Sequence, residues 1–269
     1  MNVLFFKTTL VLYFLGTFIF LVHLTNKKAL LSRLSIGATA TGFLFHTIAL
    51  VTRMVEEGHF PLTNFYEALS FFSWALVLIF LLVEYRYRIL ILGSFILPLA
   101  FLSLVSAAAL PKQIRALTPL WQNVWVFVHV SLTILGLVAF TVAFAVGVMY
   151  LIQERLLKSK QFNSLYDELP SLNLLDDFNR KAVLLGFPLL TLGMITGGIL
   201  SEDIFRAYLS LQPVETLTLV TWLFYLAMLH GRLTVGWRAK KAAYLAVLGF
   251  ISVVLTVGVN FISKGPHAF

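Results

Sequence analysis

Apolar residues fall along this chain in runs of about twenty, separated by short stretches that hold most of its charge. A run of that length crosses a hydrocarbon core of roughly 30 Å at about 1.5 Å per residue. Eight such spans can be drawn, at 3–25, 34–52, 66–84, 88–109, 121–153, 181–200, 213–231 and 241–262. Inside a membrane the backbone must satisfy its own hydrogen bonds, so each span is expected to be a helix. The fifth is long enough to protrude from the bilayer as helix. The pattern predicts an all-α, polytopic integral membrane helical bundle, read as one domain over 1–269, with neither an internal repeat nor a low-complexity linker.

The placement of basic residues orients the bundle. Odd-numbered loops hold Lys27, Lys28, Arg33, Arg86, Arg88, Arg155, Lys158, Lys160, Arg180, Lys181, Arg232, Arg238, Lys240 and Lys241, fourteen of the 20 Lys and Arg. The opposite side holds Arg53, Lys112, Arg115, Arg206 and Lys264, and Lys7 begins the first span. Positive-inside bias then sets the odd loops in the cytoplasm and both termini outside. The first run lacks a small-residue cleavage site and reads as a retained span.

Composition narrows the function classes. Charged residues make up 12% of the 269, against roughly a quarter in soluble domains. The net charge of +8 comes from loop clusters suited to orientation and anionic headgroups, so nucleic acid is not an expected partner. The chain has no cysteine, which excludes disulfides, thiolate metal sites and a thioether to haem from its own side chains. It carries no phosphate-binding glycine loop, HExxH pair or GxSxG elbow.

Candidate chemistry rests on histidine, a ligand for haem iron and a proton carrier near neutral pH. His59, His129 and His267 fall at the expected outer face, while His23 and His230 fall at cytoplasmic helix ends. Imidazoles at 129 and 267, on different helices at one membrane level, can ligate one iron or simply sit beside headgroups. His230 lies in Leu229-His230-Gly231-Arg232, where snorkelling with Arg232 is the plainer account. His46 is at membrane depth with Arg53 two helical turns on, roughly on the same face. That pair can meet an anion such as a haem propionate, or hold helices together. Thr63 or Asn64 can cap the third span, with Glu67 in capping-box position. Trp74, Trp121, Trp125 and Trp222 can line a porphyrin pocket or form an interfacial belt. The stretch from Arg155 to Lys181, with Asp167, Glu168, Asp176 and Asp177, reads as a solvated cytoplasmic loop, with docking of a soluble partner as the other option.

Taken in order, several segments resemble the cytochrome c assembly family, in its CcsA-type (system II) and shorter HemX-type branches. They are Gly42 to Thr47 around His46, with Arg53; Phe60-Pro61-Leu62-Thr63-Asn64-Phe65-Tyr66-Glu67; Trp125 to His129; and Asp177-Phe178-Asn179-Arg180 with Gly186-Phe187-Pro188 and Gly193. Further on come Thr221-Trp222 through Arg232, Gly236-Trp237-Arg238, and Gly258-Val259-Asn260 through His267. The resemblance implies that His129 and His267 are axial ligands of an outward-facing haem b, bound non-covalently. It also implies that His230 belongs to a haem site within the membrane, and it leaves His46 and Arg53 as candidate cofactor-binding residues.

One departure shifts the expected role. The synthase branch has a tryptophan-rich WxWDPKETW motif between spans six and seven. Here the stretch from Leu209 to Leu217 keeps Pro213, Glu215 and Thr216, while leucines replace the tryptophans and Gln212 the aspartate. A porphyrin face loses aromatic stacking, about 1 kcal/mol per stack. The resemblance thus points to a haem chaperone or accessory protein of the cytoplasmic membrane rather than a complete haem lyase. Expected partners are haem, apocytochrome c and a second system II membrane subunit. The alternatives are a HemX-type regulator acting on a cytoplasmic tetrapyrrole-pathway enzyme, and an unrelated transporter.

Overall fold

The computed structural model describes residues 2–26, 28–111, 123–205, 213–237 and 239–262, with the side chains of 201–205 and 260–262 excepted. Its helices are α1 (Asn2–Thr25), α2 (Ala29–Glu57), α3 (Phe65–Tyr87), α4 (Gly93–Ala108, led by a 3-10 turn at Leu90–Leu92), α5 (Val124–Lys158), α6 (Ser164–Glu168), α7 (Leu172–Phe205), α8 (Pro213–Leu233) and α9 (Lys240–Ile262). Eight of these, all but the short α6, are long and apolar enough to cross a membrane. The protein is a multi-pass, all-helical membrane protein.

The described residues form two compact units, Met1–Arg115 with Phe162–Leu169, and Ala116–Gln161 with Pro170–Phe269. In the first unit α1 packs on α2 and α4, and α3 packs on α4 and α2, closing a four-helix ring. The buried face of α2 reads Ser35, Thr39, Gly42, His46, Ala49 and Arg53, the alternating spacing of three and four that one helical stripe requires. Small polar residues tie α3 to α4: Ser73 Oγ donates to Ala100 O at 2.8 Å and Ser103 Oγ to Leu69 O at 3.0 Å. Without a hydrophobic force between helices in lipid, such bonds and close packing hold them together.

In the second unit α5 is the central helix. Val138 through Ala143 are buried without a break, so this helix is covered on every side along that stretch. α7 lies against it at small residues. A Cβ added to Gly136 would come within 2.9 Å of Leu190 N, so only glycine permits this approach. α9 runs antiparallel to α5. Its register is marked by Lys240 Nζ at 3.3 Å from Glu154 Oε2, by Gly147 facing Ala243 and Ala246, and by the Phe144–Phe250 stack at 4.1 Å. α8 joins through Tyr225, whose ring stacks on Phe140 at 3.5 Å.

Several helix limits differ from the sequence expectation, most clearly those of α2 and α7. α2 begins at Ala29, and it runs on to Glu57, where Arg53 and Glu57 are ion-paired inside the fold. α7 begins at Leu172, not 181, so Asp176 and Asp177 lie on a helix rather than in a loop. Asp177 is paired with Arg180 and Lys181 one turn on, the spacing that offsets charge along a helix face.

Candidate functional site

His129 stands early on α5, two turns after the Asn123 N-cap, whose side chain accepts from Trp125 N. The imidazole is half-buried against α7. Its Nδ1 donates to the Gly193 carbonyl oxygen at 2.7 Å. A carbonyl oxygen only accepts, so Nδ1 carries a proton, which in the neutral ring leaves the lone pair on Nε2, the atom a metal ion would take. Metal-binding histidines are commonly oriented in this way, through the other ring nitrogen. The ring also lies on Gly197: a Cβ there would sit 2.6 Å from His129 Cε1. The Gly193 carbonyl and the bare backbone of Gly197 therefore make the seat in which the imidazole rests, while the missing side chain at Gly193 leaves room for Thr133. Trp125, one turn before His129, is 55% exposed.

The second expected ligand, His267, lies outside the described residues, as do Trp121 and the altered stretch 209–212. The α5–α9 register still constrains levels. From the Phe144–Phe250 stack, His129 is about fifteen residues further, roughly 22 Å of rise, and Ile262 about twelve, roughly 18 Å. The last described turn of α9 thus ends within about one helical turn of the His129 level.

His230 is exposed near the end of α8. The residues around it are firmly held. Arg232 Nη2 donates to Asp176 Oδ1 at 3.0 Å and to Asn179 Oδ1 at 2.6 Å, and Asn179 Nδ2 donates to Ala143 O at 2.7 Å. Asp176 Oδ1 also accepts from Ala239 N at 3.1 Å, in a turn where Gly236 and Ala239 both have positive φ. This knot joins α5, α7, α8 and the start of α9. Nothing local in the sequence marks Asp176 and Asn179 as partners of Arg232, which is more than fifty residues away.

His46 is fully buried in the first unit, and both ring nitrogens are engaged there. Nδ1 is 3.3 Å from Tyr13 Oη and Nε2 is 2.9 Å from Ser70 Oγ. Arg53 shares the same face of α2, as its spacing predicts, and is also held internally. Its Nε donates to Glu67 Oε1 at 2.8 Å, its Nη2 lies 2.6 Å from Glu57 Oε1, and its guanidinium covers the Tyr66 ring. Glu67 further accepts from Thr63 N at 2.7 Å and from Asn64 Nδ2 at 2.6 Å. Asn64 is the N-cap of α3, accepting from Glu67 N at 2.9 Å. The expected cap at 63–67 is present, with its carboxylate turned to a buried arginine as well. Trp74 stacks between Phe43 and Phe71 and donates to Thr47. Trp222 stacks on Phe187 and donates to Thr191.

Comparison with known proteins identifies the family of the chain. The family model described as cytochrome c assembly protein matches residues 62–267, a range that runs through both units. A protein of Guillardia theta named cytochrome c biogenesis protein CcsA is 33% identical over 253 residues, covering 87% of this chain and 84% of that protein. A protein of the same name from Prochlorococcus marinus subsp. pastoris is 31% identical, covering 97% and 90%. Among solved structures, the cytochrome c haem lyase CcmF superposes on all of this chain with a TM-score of 0.73 at 16% identity. The chain spans 47% of that protein's length, and the likeness is one of fold. On the family match and the curated relatives together, this chain is a member of the cytochrome c assembly protein family.

Proposed function

We propose that this protein serves cytochrome c biogenesis by binding haem b non-covalently at the outer end of its second unit and presenting it to apocytochrome c. His129 and His267 are the axial ligands in this reading, and the membrane is the cytoplasmic one. The observation that carries it is the His129–Gly193 hydrogen bond, which fixes the ring and its tautomer with Nε2 as the lone-pair nitrogen. The end of α9 near the His129 level supports His267 as the second ligand.

Bound haem would supply the redox-active iron and the vinyl groups that a cysteine-bearing partner needs. This chain has no thiol, so its own residues bind and orient. Gly193 and Gly197 set the angle of one ligand. The Arg232–Asp176–Asn179 knot holds the end of α8 that carries His230, the candidate ligand of a second site within the membrane. His46 and Arg53, both engaged inside the first unit, act in this reading as supports of the bundle rather than as ligands. A second system II membrane subunit is the proposed neighbour. The likeness to CcsA proteins over most of the chain favours assembly over a regulatory role toward a tetrapyrrole enzyme.

The test is an absorption spectrum and pyridine haemochrome assay on the detergent-purified protein. A low-spin bis-histidine spectrum is expected, lost in a protein carrying His129→Gly and His267→Gly. An unchanged spectrum in that variant rejects the ligand assignment.

A further inference from the structure

At the other end of α5, far from His129, an open cleft of about 670 Å³ lies between α5 and α9. Its floor is apolar, from Leu151 and Val247, and its rim is charged, from Arg155, Lys158 and Lys240. Glu154 is the one acid in the lining. It accepts from Lys158 at 2.6 Å and faces Lys240 Nζ at 3.3 Å, so one carboxylate stands against three cations. Among the described residues Arg155 forms no ion pair, and its side chain is exposed. The Tyr244 ring lies beneath Lys240, with Nζ 5.6 Å from its centroid.

We infer that this cleft binds a phospholipid with an anionic headgroup. An open cleft with apolar residues beside a net positive cluster matches an acyl chain joined to a phosphate, and neither His129 nor the α7 glycines beside it line it. The cleft also sits where headgroups are found. It is formed by the last turns of α5, a helix of 35 residues that outlasts the hydrocarbon core, and by the first turns of α9. Positive-inside bias assigns that end to the cytoplasmic leaflet, whose anionic lipids attract clustered Lys and Arg. The lipid would lie along the two helices, which the Lys240–Glu154 pair and the close contact at Gly147 hold together.

The experiment is native mass spectrometry of the full-length protein in mixed micelles holding equal dioleoyl-phosphatidylglycerol and dioleoyl-phosphatidylcholine. Retained adducts are expected to favour phosphatidylglycerol, by about fivefold for each basic residue engaged. Arg155→Gln alone, at an exposed position, should cut the preference about fivefold with helix content unchanged. Arg155→Gln, Lys158→Gln and Lys240→Gln together should abolish it. Equal removal of charge at the exposed Lys28, Arg33 and Arg86 should leave it in place. Equal retention of both lipids overturns the proposal, as does an equal loss in the two triple variants, which would mark diffuse charge rather than a site.

Discussion

His129 Nδ1 lies 2.7 Å from the carbonyl oxygen of Gly193, one helix away, and that single bond sets which ring nitrogen holds the lone pair. An i,i+4 hydroxyl normally closes on its own helix. Here an imidazole reaches across to a neighbouring backbone, which is possible because α5 and α7 approach so closely. The relation makes α7 a support for chemistry on α5.

Gly197→Val should therefore disturb haem binding without touching a ligand. The new side chain starts 2.6 Å from His129 Cε1 and must push the ring off its seat. Changes in the groups that orient a metal-binding histidine typically cost about 10–100-fold in affinity. Haem titration followed at the Soret band reads this directly. Gly37→Ala, where an added Cβ meets nothing within 4 Å, is the matched control and should bind as the native protein does.

Glu67→Ala should destabilise the first unit strongly. It removes one of the two carboxylates, Glu57 and Glu67, that pair with Arg53, a side chain 2% exposed, and it strips Thr63 N of its acceptor. Breaking one side of a buried ion pair costs about 3–5 kcal/mol, and the remaining Glu57 argues for the lower end. Thermal unfolding in detergent should show a clearly lowered midpoint, whereas a midpoint equal to that of the native protein would mean the pair contributes nothing.

Much of the fold was legible because lipid leaves the backbone so few options. Eight apolar runs became eight spanning helices. The spacing that put His46 and Arg53 on one face also held. What stayed hidden were partners. Tyr13 and Ser70, which engage His46, are unremarkable positions in apolar helices. The acids of α7 looked like a solvated loop because nothing local reveals that Asp176 meets Arg232. The Gly193 carbonyl that orients His129 carries no side-chain signature at all.

Asn179→Ala tests the knot behind His230. The change removes the acceptor 2.6 Å from Arg232 Nη2 and the donor to Ala143 O, both buried. Leaving such groups unpaired costs about 1–3 kcal/mol. Unfolding should shift accordingly, and limited trypsin digestion should cut sooner in the turn between α8 and α9. Digestion at the native rate would show that the turn is held by other contacts.

The most direct trial of the account is chemical rescue of the proposed axial ligands. His129→Gly and His267→Gly, each made singly in the full-length protein, should lose the low-spin haem spectrum and regain it when free imidazole is added. Low-spin spectra that persist in either variant without imidazole would contradict ligation of one iron by these two residues.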